Sequence, residues 1–224
     1  MLAVLIITFC VSRFGDRQGM QRAILPSRLA IIAAGIKSDT FIDSWARDLK
    51  VPYQIIRDKH PNLHHDIGET VYWFRYIIDN YNHLADFLIF LDDTGFEAWH
   101  VSNKYKWSRA IQFHTPSSYE PLGLTLPDKN YKHVYFRDVN AGGVDEWDCA
   151  FQILRIFNVL YDPEKHGAVC CLNSIVPRKN VVRYPKQTYI DMYNMIKQNP
   201  IHTAFCQSGK WGYAFERIAQ IIWG

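Results

Sequence analysis

The sequence predicts an α/β fold with a mostly parallel, twisted sheet flanked by helices. Residues 87–91 are a run of large apolar side chains, which is typical of a strand buried on both faces. Strand-like and helix-like segments alternate between residues 29 and 91, a pattern that indicates parallel strands joined by right-handed crossovers. The chain has 224 residues, of which 15% are aromatic, and this suffices for one domain with a sizeable core.

The first half of the domain is predicted to contain three strands and two helices. Ser38 or Asp39 precedes the first helix and is a suitable N-cap, and the second helix places apolar residues on one side. The predicted strands are residues 29–35, 51–56 and 87–91, and the predicted helices are residues 40–49 and 69–81.

The second half has a less regular pattern. It begins with a loop-rich segment over residues 95–132, and no internal repeat follows it. Apolar periodicity then predicts strands at residues 133–136 and 167–172, and helices at residues 146–160, 186–197 and 213–223.

Residues 1–27 are set apart from the domain at 28–224. Residues 2–11 form an apolar run that is shorter than a membrane span and close in length to a signal-peptide core. The charge order around it also suits a plain first or edge strand, and residues 12–27 resemble a linker. A signal or anchor would place the protein in the secretory pathway (Golgi or endoplasmic reticulum), and otherwise it would be cytoplasmic.

Charge and cysteine content narrow the function classes. The net charge is +3 and the basic residues are scattered, so nucleic acid is not an expected partner. The five cysteines show no C-x-x-C spacing, and buried free thiols are the default expectation. In a secreted protein, disulfides among Cys149, Cys170 or Cys171, and Cys206 would be possible. The oligomeric state is not predicted.

The most informative motif is the acid pair Asp92-Asp93 at the end of the third predicted strand. Ligands of open α/β sheets bind at the carboxyl ends of the strands, and carboxylates there suit Mg²⁺ or Mn²⁺ held against a diphosphate. His100 follows closely and is a candidate third metal ligand. The alternative is that the acids begin a turn completed by Gly95.

Three blocks of motifs occur in a defined order along the chain. They comprise an Ile67-Gly68-Glu69 turn with an Ile-Ile-Asp-Asn-Tyr helix end, a small-residue strand followed by a basic turn, and a closing helix with Glu216-Arg217. Together they resemble the family catalogued as domain of unknown function 3431, over roughly residues 29–224. The family's Gly-Arg-Glu core lacks its arginine here, and Ala219-Gln220 replaces the family's Trp-His.

That resemblance implies a glycosyltransferase of the GT-A (Rossmann-like) type. Such a protein would transfer a sugar from a nucleoside diphosphate sugar to a glycan or glycoprotein acceptor, with Mn²⁺ or Mg²⁺ held at Asp92 and Asp93. Two alternatives stay open: a non-catalytic carbohydrate-binding or scaffold protein on the same fold, and a metal-dependent hydrolase. Contact with a membrane is expected only through an N-terminal anchor.

The resemblance also implies where the nucleotide and the catalytic groups lie. Lys37 and Asp58 follow the first two strands, at the edge that receives base and ribose in GT-A enzymes. Gly68 and Glu69 open a helix whose backbone N–H groups could meet an anion, although Glu69 could equally be a helix-opening acid. An inverting enzyme needs a carboxylate base, and the candidates, which also suit a helix dipole, are Asp145, Glu146 and Asp148.

Overall fold

The computed structural model of the protein describes residues 26–35, 37–57, 69–97, 103–122, 145–161, 173–198, 206 and 211–224. The side chains of residues 97, 145–148, 213 and 217 are outside this description, although their backbone lies in helices. Predictions for residues 1–25, 58–68 and 98–102, and for the strands at 133–136 and 167–172, concern the undescribed parts.

Five described strands form one sheet with the order β2-β1-β3-β5-β4. β1 pairs in parallel with β2 and β3, while β5 pairs antiparallel with both β3 and β4. Four of the five strands therefore point the same way, and the predicted mostly parallel α/β sheet is confirmed. The strands are β1 Arg28–Ala33, β2 Tyr53–Ile56, β3 Phe87–Asp92, β4 Glu120–Pro121 and β5 Ser174–Pro177.

Helices flank this sheet on both sides. The described helices are α1 Asp39–Ala46, α2 Thr70–Asn80, α3 Lys104–Phe113, α4 Asp145–Ile156, α5 Arg178–Val181, α6 Lys186–Gln198 and α7 Trp211–Trp223. Short 3₁₀ turns follow α1 (Arg47–Leu49), α2 (Tyr81–His83) and β3 (Gly95–Glu97).

The first half of the domain matches its predicted elements closely. The Ser38 hydroxyl accepts a hydrogen bond from the Phe41 backbone N–H at 3.2 Å, which confirms Ser38 as the N-cap of α1. The second half needed correction. The segment predicted as loop-rich contains α3 and β4, because the lysines and polar residues of α3 conceal a narrow apolar stripe formed by Trp107 and Ile111. β5 was not predicted, because four residues give too little periodicity.

Alternation along β3 divides the core into two layers. Leu88 and Phe90 face the larger layer, which α2, α4, α6 and α7 build, whereas Ile89 and Leu91 face a smaller layer with α1 and α3. All four side chains are fully buried. This arrangement explains the uninterrupted apolar run that predicted the strand, since both faces of β3 are covered.

The C-terminal helix closes the larger layer. The Trp223 indole stacks on the Phe90 ring with centroids 5.0 Å apart, and its Nε1–H donates to the Tyr189 hydroxyl at 3.2 Å. The Asn180 side-chain amide donates to the Trp223 carbonyl oxygen at 2.6 Å, and the Arg183 guanidinium donates to the carbonyls of Ile221 and Ile222 in α7 and of Gly224 after it. These bonds satisfy carbonyl groups that a helix end leaves without partners.

Cys149 on α4 and Cys206 form a disulfide, with Cα atoms 4.5 Å apart. The default expectation of free thiols is therefore wrong for these two residues. The sequence could not decide the pairing, because the two positions are separated by 57 residues and meet only in the folded chain. No helix in the described part of the chain has the length and apolar character needed to cross a bilayer.

Candidate functional site

The order of the strands places a change in the direction of their connections at one edge of the sheet. The chain leaves β1 through α1 to reach β2 on one side, and then returns through α2 to β3 on the other side of β1. α1 and α2 pack on opposite faces of the sheet. The carboxyl ends of β1 and β3 are thus a topological switch point, which is where open α/β sheets bind their ligands.

Asp93 bridges this switch point. Its Oδ2 accepts a hydrogen bond from the Lys37 backbone N–H at 2.8 Å, so the segment after β3 is attached to the loop after β1. Gly35 lies on the same loop, and a Cβ at Gly35 would stand 3.9 Å from the same oxygen. Asp93 is only 8% exposed. A largely buried carboxylate is thereby held at the switch point.

Asp92 stabilises the turn that positions Asp93. Its Oδ1 accepts hydrogen bonds from the Thr94 N–H at 2.9 Å, the Thr94 hydroxyl at 2.5 Å and the Gly95 N–H at 3.1 Å. Its Oδ2 accepts from the Asn173 side-chain amide at 2.9 Å. The turn-forming alternative from the sequence is therefore confirmed for Asp92, and both of its oxygens are engaged by protein groups.

Gly95 is required by this turn. Its φ of 53° lies in the left-handed region, and a Cβ there would overlap the buried Trp45 indole. The close approach of this turn to α1 packs Trp45 against Phe96, with ring centroids 6.0 Å apart. Packing against Trp45 therefore fixes the turn that follows Asp92 and Asp93.

Glu69 precedes α2 and is electrostatically coupled to the same acids. Burial of the carboxyl group raises the pKa of Glu69 to about 7, and a hydrogen bond from its own backbone N–H opposes part of this rise. The negative charges of Asp92, Asp93 and Glu216 raise it further. A carboxyl group with a pKa near neutrality has the protonation behaviour of a general acid or base.

Glu216 on α7 extends the group toward β4 and β5. Burial raises the pKa of Tyr119 well above its usual range, and the Glu216 charge adds to this rise, while the nearby Ser174 hydroxyl opposes it. The hydroxyl groups of Tyr119 and Ser174 are buried, and neither makes a hydrogen bond of standard geometry to any described residue. We refer to Glu69, Asp92, Asp93 and Glu216 as the acid cluster.

Arg57 fixes the loop that faces the acid cluster. Its guanidinium donates to the Asp39 carboxylate at 2.7 Å, to the Lys37 carbonyl at 2.5 Å and to the Ala34 carbonyl at 3.5 Å. One side chain at the end of β2 therefore attaches to both ends of the β1–α1 loop. The Lys37 backbone N–H is held in position for Asp93 by this arrangement.

Four of the predicted site residues meet at this edge: Lys37, Glu69, Asp92 and Asp93. The Lys37 ammonium lies over the Phe41 ring, 4.7 Å from its centroid, so the backbone of Lys37 provides its contact with the cluster. Asp145, Glu146 and Asp148 begin α4, but their side chains lie outside the described residues. Asp58, Gly68 and His100 also lie outside them.

The described residues contain no group of three or more His, Cys, Asp or Glu side chains arranged to hold a metal ion. The chemistry of the acid cluster nevertheless fits a hard divalent cation, because carboxylate oxygens are its preferred ligands. A bound cation would also offset the smaller part of the rise in the pKa of Glu69 that the charges of Asp92, Asp93 and Glu216 cause, whereas burial causes the larger part.

Sequence reasoning missed Glu216, Asn173 and Arg57 as site residues. Glu216 had a signal, because it is an acid in an otherwise mostly apolar terminal helix. Arg57 had a weaker one, as a basic residue directly after β2. Asn173 had no signal in the sequence, since its role depends on an antiparallel strand that the sequence did not predict.

Comparisons with family models, with curated proteins and with solved structures found no match for this chain. The resemblance to the family of domain of unknown function 3431 therefore stays a prediction, as does the GT-A type.

Proposed function

We propose that this protein is a metal-dependent glycosyltransferase of GT-A type that uses a nucleoside diphosphate sugar and a carbohydrate acceptor. The observation that carries the proposal is the acid cluster at the switch point between β1 and β3. Two of its members, Asp92 and Asp93, come from the end of β3, and the other two come from α7 and the start of α2. Four coupled carboxylates at the ligand-binding edge of an α/β sheet favour a cationic ligand.

Asp93 is the proposed cation ligand of the acid pair. Asp92 is less suited to this role because its two oxygens already accept four hydrogen bonds. Asp92 and Glu216 would add negative charge around the cation. When bound, Mn²⁺ or Mg²⁺ would neutralise the charge that develops on the departing diphosphate. His100 remains a proposed further ligand.

Glu69 is the proposed proton acceptor. Its pKa of about 7 allows it to take a proton from an acceptor hydroxyl at neutral pH and to release it afterwards. It replaces Asp145, Glu146 and Asp148 as the first candidate, because its carboxyl group is coupled to the acid cluster. The β1–α1 loop with Lys37, together with Asp58 and Gly68, is proposed to receive the nucleotide.

A thermal-shift experiment tests this proposal. The melting temperature should rise with Mn²⁺ and rise further with uridine or guanosine diphosphate, because ligands that bind only the folded state stabilise it. Asp93→Asn should abolish the shift, whereas Asp191→Asn, which changes an exposed acid on α6, should preserve it. No shift with any cation or nucleotide at millimolar concentration would contradict the proposal.

The complete engagement of Asp92 favours a second candidate, a non-catalytic carbohydrate-binding protein on the same fold. Glycan binding without turnover of any nucleotide sugar would support it. A metal-dependent hydrolase is the third possibility. It predicts cleavage of the nucleotide sugar as the sole reaction across a broad panel of acceptors.

A further inference from the structure

The exposed face of α3 carries a stripe of two aromatic rings with an arginine between them. Tyr105 and Phe113 are 72% and 58% exposed. The Arg109 guanidinium lies 6.0 Å from the centroid of Tyr105 and 4.7 Å from that of Phe113. The spacing of four residues places all three on one side of the helix. We call these three residues the α3 stripe.

The α3 stripe differs from a normal solvated helix face. Trp107 and Ile111 on the opposite side are buried and already anchor the helix to the sheet. Tyr105 and Phe113 are therefore unnecessary for packing α3 against the sheet, and they leave a large apolar area in water. Exposed aromatic rings beside cations on one helix face are typical of helices that lie on a membrane surface.

The charge around the α3 stripe has one dominant sign. The Lys104 ammonium lies over the Phe96 ring, 5.5 Å from its centroid, so Lys106 and Arg109 are the cations of α3 beside the stripe. α3 contains no acidic residue. The 3₁₀ turn after α1 packs against it, because the Ser108 hydroxyl donates to the Asp48 carbonyl at 3.1 Å. This neighbouring region adds the exposed residues Arg47 and Lys50 and one exposed acid, Asp48.

The position of α3 relates the stripe to the chain's N-terminal segment. The Arg28 guanidinium donates to the carbonyls of Ile111 and His114 at 3.0 and 2.8 Å, so the end of α3 is attached to the start of β1. The chain enters β1 from residues 1–25, which include the apolar run at residues 2–11. Phe113 thus lies close to where this segment joins the domain.

We propose that the α3 stripe is a contact surface for membranes that contain anionic lipids. Tyr105 and Phe113 would enter the interfacial region, and Lys106 and Arg109 would pair with the headgroups. A single-stranded nucleic acid fits less well. The guanidinium covers the Phe113 ring on which a base would stack, and the cations lie on one helix instead of following a groove. This inference is independent of the proposed enzymatic function.

Co-sedimentation of the full chain with vesicles tests the proposal. Vesicles of phosphatidylcholine alone are compared with vesicles of phosphatidylcholine and phosphatidylserine at a ratio of about three to one. Binding should be at least about tenfold stronger to the anionic vesicles and should weaken with salt, because exposed charges are screened. Tyr105→Ser with Phe113→Ser should lower that binding about tenfold, and Lys106→Gln should lower it about fivefold.

Phe151→Ser with Leu160→Ser is the matched control, because these exposed apolar side chains lie away from α3. This control should bind anionic vesicles as the unmodified chain does. Should the serine variant of α3 not fold, the glutamine variant provides the same comparison. Equal binding to both vesicle types, or unchanged binding by either α3 variant, would overturn the proposal. Binding to a single-stranded oligonucleotide but not to vesicles would overturn it in favour of a nucleic-acid surface.

Discussion

Asn173 pairs with Asp92 through both of its side-chain groups. Its Oδ1 accepts the Asp92 backbone N–H at 2.8 Å, and its Nδ2 donates to Asp92 Oδ2 at 2.9 Å. Asn173 directly precedes β5, so this pair extends the join between β3 and β5 to the edge where the acid cluster lies. The position of the cluster therefore depends on a residue from a distant part of the chain.

Asn173→Ala should destabilise the protein by about 1–3 kcal/mol, because a backbone N–H and a carboxylate oxygen would lose buried hydrogen bonds. Chemical denaturation at neutral pH measures the change in the free energy of unfolding. Asn194→Ala, at an exposed position on α6, is the control and should have little effect. An unchanged denaturation midpoint for Asn173→Ala would show that the pair contributes nothing.

Glu69→Gln should change how stability depends on pH. The pKa of Glu69 rises from 4.5 to about 7 on folding, so the folded state holds the proton more tightly than the unfolded state. Stability from this group is complete below pH 4.5 and decreases as the pH rises to about 7. Glu69→Gln lacks this loss. Between pH 5 and 8 its free energy of unfolding should therefore increase relative to that of the unmodified chain, by at most about 3 kcal/mol. Contact of the carboxyl group with water makes the increase smaller.

Denaturation curves at several pH values measure this effect, and Glu120→Gln is a control at another partly buried acid. A constant difference between Glu69→Gln and the unmodified chain across this range would contradict the raised pKa. If Glu69 is also the proton acceptor, the same variant should bind nucleotide and lose turnover, a loss that stability alone does not explain.

Arg57→Gln should loosen the β1–α1 loop. The change removes the ion pair with Asp39, whose closest atoms are 2.6 Å apart, and two hydrogen bonds to backbone carbonyls, at a cost of about 1–2 kcal/mol. Arg75→Gln is a matched control, because Arg75 pairs with Asp79 at the same distance and similar exposure, but within one helix and not across a loop. Arg75→Gln should lower the free energy of unfolding by less than about 1 kcal/mol.

The two arginine variants also separate stability from ligand binding. Under the proposed function, Arg57→Gln should weaken the nucleotide-induced thermal shift, because Lys37 would no longer be held against Asp93. Arg75→Gln should preserve that shift. Equal loss of stability in the two variants would indicate that Arg57 is an ordinary surface ion pair.

Cys149→Ser with Cys206→Ser should lower the free energy of unfolding by about 3–4 kcal/mol, because the disulfide closes a loop of 57 residues. Differential scanning fluorimetry with and without a reducing agent measures the effect, and peptide mass spectrometry of the unreduced chain identifies the bond. The double variant should also be insensitive to the reductant. A reductant effect of the same size in the double variant would assign it to other cysteines.

The sequence allowed the first half of the fold to be predicted because its signals are local. The apolar run of β3, the Ser38 cap and the periodicity of α2 each lie within a few residues, and each predicted element was confirmed. The second half was predicted less well. β4 and β5 contain two and four residues, and such short strands are stabilised by pairing with neighbours and not by their own periodicity.

By itself, the sequence determined that an acid pair would end a buried strand at the edge of a mostly parallel sheet where its parallel strands end. Only the tertiary structure decided that Asp92 would hold the turn, that Asp93 would face Lys37, that Glu69 would approach both acids and that Glu216 would approach Glu69. It also decided the partner of Cys149. The physical reason is that these relationships depend on strand register and on the packing of α2, α4 and α7, which bring together residues from distant parts of the chain.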